Sequence, residues 1–312
     1  QAVFSGGTFQ CGIASKPGIS GRGMVVVDVS RAGGSTDMAA VNAAMPATLD
    51  ALKADVAKAS NSAIGTEISL SQFGLLSESD DNTALLGEAI NGTPEGFTLV
   101  LPSGSYRGDL ILSKGGVSVR GGGAPSFDGT KLVGGTVLKG KCQIYEHQNI
   151  TLEKFGVDQS MLGNEYTDAF EFGTGISQDR RMNIVCKDLV ALGRGNASSF
   201  HAFLAQCGTG YELYGCKAFR FGHGFAMRAI DTIVKDCLAQ DCLIDGYITK
   251  SGDWAVTQDA RQSKLINFSG VVTSATTRAN VVISSQTAGQ TNSGVIIDGV
   301  RVIGPQKVPP IN

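Results

Sequence analysis

Six segments in the second half of this chain overlay without gaps: Asn149–Val157, Met182–Val190, Gly210–Ala218, Asp231–Ala239, Ser263–Val271 and Ser293–Arg301. One column of the overlay is aliphatic: Leu152, Val185, Leu213, Val234, Ile266 and Ile296. Three residues on stand Phe155, Asp188, Cys216, Cys237, Ser269 and Gly299; two further on, Val157, Val190, Ala218, Ala239, Val271 and Arg301. The copies begin at 149, 182, 210, 231, 263 and 293, so their spacing runs from 21 to 33 residues. A period of that size marks a solenoid, in which each unit buries its apolar face only against the next. The units are short and β-patterned, so the expected architecture is all-β, a right-handed parallel β-helix.

Composition agrees with many tight turns. Gly is 42 of 312 residues, about twice the usual share of roughly 7%, while Pro is only 8. Charged residues are 17%, low enough that partner chains are expected to cover part of the surface. A net charge of −2 offers nothing to nucleic acid, and no apolar run is long enough to span a membrane. Seven Cys leave at least one thiol unpaired in a monomer. Cys216 and Cys237 are expected one rung apart as small buried hydrophobes rather than a disulfide. Neither a zinc pattern nor the oxygen cluster that Ca²⁺ needs is visible, and no cofactor is implied.

The chain divides by texture. Residues 1–65 read as an N-terminal arm and helical neck: a Gly/Ser-rich stretch with the apolar run Met24–Val29, then an Ala/Leu-rich segment that Pro46 splits. Past Thr48, the spacing of Leu49, Leu52, Val56 and Ala59 fits either a helix packed on the solenoid or a short three-chain coiled coil. Residues 66–312 read as the β-helix domain. Its entry runs strand, turn, helix (about 80–90), turn, strand, with Asp80 or Asp81 capping a helix that carries Leu85, Leu86, Ala89 and Ile90. That helix would cover the otherwise open first coil.

This entry, with Phe73-Gly74, Asp81, Thr83-Ala84, Ala89-Ile90, Leu101-Pro102, Gly104 and Tyr106, resembles the N-terminal phrase of the pectate-lyase-like β-helix superfamily. Where that phrase has Gly-Asp-Gly, this chain has Ser77-Glu78-Ser79. An arm-like segment before the solenoid makes it most similar to bacteriophage tailspikes and polysaccharide depolymerases. That resemblance implies a virion protein on the phage tail, acting at the bacterial cell surface; secretion is the alternative. It implies a homotrimer, joined to the tail or baseplate through the N-terminal segment, with outward apolar residues such as Leu204 and Ile248 under the partner chains. The implied partner is bacterial surface polysaccharide, capsule or O-antigen.

A second set of columns could carry chemistry: Asp168-Ala169-Phe170, His201-Ala202-Phe203, His223-Gly224-Phe225, Asp245-Gly246-Tyr247 and Asn280-Val281-Val282. The third column is a core ladder. The first is polar throughout and holds two of the chain's three His, each next to an acid. Such a file either satisfies turn amides, as Asn ladders do, or lines a sugar groove. Under the second reading Asp168, Glu171 and Asp245 are the acid/base candidates with His201 and His223 beside them, and Trp254, Asp253, Tyr247 and Arg228 contact substrate. Paired carboxylates point to glycoside hydrolysis. The alternatives are a non-catalytic receptor-binding or structural fibre protein and a uronate lyase or epimerase.

Overall fold

The computed structural model describes residues 2–5, 8–11, 25–27 and 66–304, apart from the stretches 164–167, 174–175, 177–179, 196–199, 252–259, 272–278 and 286–291. The chain separates into two compact units, Gln1–Gly65 and Thr66–Asn312. In the first, Ala2–Ser5, Thr8–Cys11 and Val25–Val27 form an antiparallel three-stranded sheet. The expected neck helix lies outside the described residues.

The second unit is a right-handed parallel β-helix, the hand that right-twisted strands impose on parallel crossovers. Its described strands build three long parallel sheets of nine, eight and seven strands, and each coil adds one strand to each sheet. In one coil these are Ile150–Glu153, Gly156–Asp158 and Phe170–Phe172. The interior is a continuous apolar column from Leu70 to Val281. Aromatic rings stack along it: Phe170 on Phe203 at 4.8 Å, and Phe203 on Phe225 at 4.9 Å. These separations match the strand spacing of about 4.8 Å, so the ladder follows from placing one ring per coil at the same depth.

The corners explain the repeat. In six successive coils of the nine-stranded sheet two residues are left-handed. The first stands just before the strand or within its first residues: Asn149, Asn183, Gly210, Asp231, Gln262 and Gly294; the second follows the strand: Lys154, Asp188, Gly215, Asp236, Asn267 and Gly299. The two positions are five residues apart in each of these six coils. Gly, Asn and Asp dominate because they tolerate positive φ best.

These corners correct the gapless overlay in three of six copies. Leu152 pairs with Cys186, not Val185, and the column continues through Leu213, Val234, Leu265 and Ile297. The inward residues at the next corner are therefore Phe155, Leu189, Cys216, Cys237 and Phe268, with Val300 packed against them. Because side chains alternate along a strand, a one-residue slip had turned Val185, Ile266 and Ile296 to the wrong face. The six cysteines from Cys142 to Cys242 are buried.

At the N-terminal end the helix Thr83–Gly92 buries Leu86, Ala89 and Ile90. Asp81 Oδ1 accepts the Thr83 amide at 3.0 Å and its hydroxyl at 2.6 Å. A hairpin, Ser126–Phe127 with Leu132–Val133, lies on the outside of the eight-stranded sheet; Phe127 sits 4.5 Å from Phe219. Leu204 and Ile248 are buried in a cluster with Ala226 and Val282. They present no exposed patch, so these two residues are covered within one chain.

Candidate functional site

The seven-stranded sheet carries the polar file. At Gly224 a Cβ would meet core atoms of Ala239 at 2.9 Å and Cys242 at 3.2 Å, so this position faces inward, as does Phe225 after it. Ala169-Phe170 and Ala202-Phe203 are likewise pairs of consecutive core residues. The strand therefore bends at each small residue. That bend turns Asp168, His201, His223 and Asp245 outward, onto the face that also bears Glu171 and the Leu204 cluster. Backbone register joins His201 to His223 and His223 to Asp245, but Asp245 to Ala279. Asn280 is thus one residue out of the file, for the same reason as the other slips.

His201 Nδ1 lies 2.7 Å from Asp168 Oδ1, which also accepts the His201 amide at 3.0 Å. The other ring nitrogen, Nε2, is 3.1 Å from Arg228 Nη2, and Arg228 Nη1 donates to Gln206 Oε1 at 3.1 Å. Arg can only donate, so Nε2 accepts and the proton sits on Nδ1, facing Asp168. This needs a neutral ring. Burial brings the His201 pKa down to about 4, against the raising effect of the Asp168 contact, with Arg228 and His223 lowering it further. His223 stacks on His201 at 5.1 Å, and its Nδ1 is 3.0 Å from Asp245 Oδ2 without hydrogen-bond geometry. Phe200 meets both imidazoles edge-on.

Burial divides the expected residues. Asp245 is fully buried, whereas the Asp168 side chain keeps 18% of its surface exposed. Glu171 is half-buried; its Oε2 accepts Gln143 Nε2 at 2.6 Å, and Gln143 Oε1 accepts the Tyr145 hydroxyl. Two substrate-binding expectations need correction. Tyr247 is fully buried in the core beside Phe268, with its hydroxyl among Thr232, Thr249 and Ser263, because the bend turns it inward. Arg228 is buried with its guanidinium on His201 and Gln206, so it is spent on holding the file. Asp253 and Trp254 lie outside the described residues.

Sequence reasoning passed over the two coils below Asp168. Cys142 pairs with Phe170 and with Leu110, so two residues earlier Gly140 and Gly108 continue the polar column downward. There the file empties into a cleft of about 370 Å³, lined by Asp81, Thr83, Arg107, Asp109, Lys139, Lys141, Gln159 and Arg194 among others. A Cβ on Gly140 would come within 2.4 Å of Gly108 O and 2.6 Å of Asp109 Oδ1, so only Gly leaves that floor open. Gln159 ties cleft to file, donating to Gly140 O at 3.2 Å and Asp168 O at 3.0 Å. Burial raises the Asp109 pKa, opposed by Lys141 and its backbone amide and helped by Asp81. Asp81 is lowered instead, by the Thr83 hydroxyl and amide. The readable signal was glycine recurring two residues before Leu110 and Cys142, in the column that later holds acids and histidines.

No His, Cys, Asp and Glu group among the described residues is arranged to hold a metal ion. Among them, too, no helix is long and apolar enough to cross a membrane. No protein-family profile matches the chain, and no curated protein does. Solved structures similar to it include the enzymatically active domain of a bacteriophage CBA120 tailspike, at 14% identity and TM-score 0.42, over 79% of this chain and 43% of that one. The A-module of a mannuronan C-5 epimerase of Azotobacter vinelandii is similar at 13% identity and TM-score 0.35, over 78% and 99%. The catalytic unit of an α-1,3-glucanase of Streptomyces thermodiastaticus is similar at 13% identity and TM-score 0.30, over 79% and 70%. The strand register, not these distant likenesses, identifies the chain as a member of the right-handed parallel β-helix fold class.

Proposed function

We propose that this protein binds and cleaves a bacterial surface polysaccharide by glycoside hydrolysis, with Asp168 and Glu171 as the reacting carboxylates. The observation that carries the reading is their shared position: two solvent-reaching carboxyls on one outward face, three residues apart, with the Asp168 carbonyl tied through Gln159 to an open polar cleft. Glycoside hydrolysis needs one carboxyl to protonate the leaving oxygen and one to act as base or nucleophile. Asp168 takes the second role, because one of its oxygens accepts both His201 donors and is thereby oriented. Glu171, steered by Gln143, supplies the proton. His201, Arg228 and Gln206 form the rigid backing that such a site requires. In this reading the protein is a phage tailspike, homotrimeric and attached to the tail through residues 1–65.

The test is product release from purified capsular and O-antigen polysaccharides, following new reducing ends and absorbance near 235 nm in the same samples. Reducing ends alone, lost in Asp168→Asn and Glu171→Gln, support the hydrolase. Both signals together mean a lyase. Neither signal, with glycan binding retained, leaves a binding module. That second reading has its own support: His201 spends both ring nitrogens inside the protein, and Asp245 is fully enclosed, as in a scaffold ladder.

A further inference from the structure

The cleft below Asp168 holds an unusual concentration of charge. Arg107, Lys139, Lys141 and Arg194 line it against only Asp81 and Asp109, an excess of two positive charges (4 − 2) in a chain whose net charge is −2. Arg107 and Lys139 are register partners on adjacent strands, so two cations stand side by side about one strand spacing apart. Like charges placed so repel unless an anion comes between them. The local acids do not complete that neutralisation. Asp109 Oδ2 is 4.0 Å from Lys141 Nζ. Asp81 flanks Arg107 in register on the side away from Lys139 and offsets part of its charge, but one of its oxygens is committed to the helix start at Thr83. Asp158 accepts the Ser160 amide and does not line the cleft. The glycine floor keeps the space open, and Gln159 places it one coil from the Asp168 backbone.

We propose that this cleft is a subsite for an acidic sugar residue, whose anionic group sits between Arg107, Lys139 and Lys141 while the neighbouring sugar lies on the Asp168–Glu171 face. The inference rests on the polysaccharide reading above and narrows its substrate class to negatively charged glycans. A carboxylate and a phosphate present the same chemistry to these cations, and the experiment separates them.

The measurement is calorimetric binding of three oligosaccharide probes of equal length, hexuronate, phosphodiester-linked and neutral, to the Asp168→Asn protein, so that cleavage does not consume the ligand. The expected result is binding of at least one anionic probe and much weaker binding of the neutral one. Lys139→Gln and Lys141→Gln each weaken the anionic probe roughly tenfold, as loss of a charge-assisted contact should. Added salt also weakens binding, and Lys139→Arg retains most of it. Lys154→Gln, away from the cleft, leaves it unchanged. Which anionic probe binds identifies the acid group. Equal binding of neutral and anionic probes, no binding of either anionic probe, or indifference to both lysine variants would overturn the inference. A neutral polysaccharide cleaved without any anionic binding removes the subsite and leaves the hydrolase. Anionic binding without cleavage of any substrate removes the hydrolase and leaves the subsite.

Discussion

His201 and Asp168 are 33 residues apart in sequence and 2.7 Å apart in space, joined by a ring nitrogen and a carboxylate oxygen on neighbouring coils. The same oxygen accepts the His201 amide, so one histidine fixes the carboxylate by two donors. Asp168→Asn keeps an acceptor oxygen and is therefore expected to keep the coil while losing the carboxylate that chemistry needs. Cleavage of the cognate polysaccharide should fall at least about a hundredfold, with the melting temperature within a few degrees of wild type. Full cleavage by the variant would remove Asp168 from the mechanism.

The buried neutral state of His201 makes stability depend on pH. Its folded pKa is about 4 against an ordinary 6.5. The unfolded chain therefore binds the proton more readily. Its contribution is fully present above about pH 6.5, declines as pH falls towards 4, and is flat below. The shift corresponds to about 3 kcal/mol across that window. Urea unfolding at a series of pH values should show the slope in wild type and a smaller one in His201→Gln; an unchanged slope would assign it to other groups.

Phe203 lies between Phe170 and Phe225, nearly parallel to both, and is fully buried. Phe203→Ala should cost about 3–5 kcal/mol, because the coils above and below cannot both close on the gap. Phe203→Leu should recover much of this. Denaturant midpoints of the two variants decide it; equal midpoints would argue that the ladder is not what holds these coils.

Gly215 is left-handed at φ 64°, and a Cβ there would approach Asp188 Oδ1 to 2.6 Å. Gly215→Val should destabilise by roughly 2 kcal/mol or more and Gly215→Asn by clearly less, since Asn is the commonest replacement for Gly at positive φ. Thermal melts of the pair provide the check.

The buried thiols should be silent. Burial raises Cys186 and Cys216 well above the ordinary cysteine value, and pushes Cys242 up to about 12. Thiolate is the reactive form, so alkylation of these residues in native protein should be far slower than in denatured protein. Rapid native labelling of Cys216 would mean that its coil opens.

Much of the fold was legible because a solenoid repeats its demands. Leu152, Leu213 and Val234 fall in one interior column, and the entry phrase around Asp81 and Thr83 marks the helix at the first coil. The exact register was not, because loops of unequal length separate the strands and a one-residue slip costs nothing in an apolar count. The informative mark was the pair of left-handed corners, as at Asn183 and Asp188, five residues apart. In the site, the polar file from Asp168 to Asp245 could be read as a column, since like positions stack. Which members reach solvent could not: Asp245 and Arg228 look as available in sequence as Asp168.

By itself, then, the sequence determined the class of architecture, the chemistry of the corners and the composition of the polar file. These depend on residue type at a repeating position, and local conformational preference supplies them. The tertiary structure alone decided how deeply the polar file is enclosed, with Asp245 fully buried and Asp168 still reaching solvent. It alone decided that Arg228 closes on His201, and that Gly108 and Gly140 open a cleft among four cations. The reason is physical: burial and charge proximity arise between coils that sequence separates by about thirty residues, and only the stacking of one coil on the next sets the distances that matter.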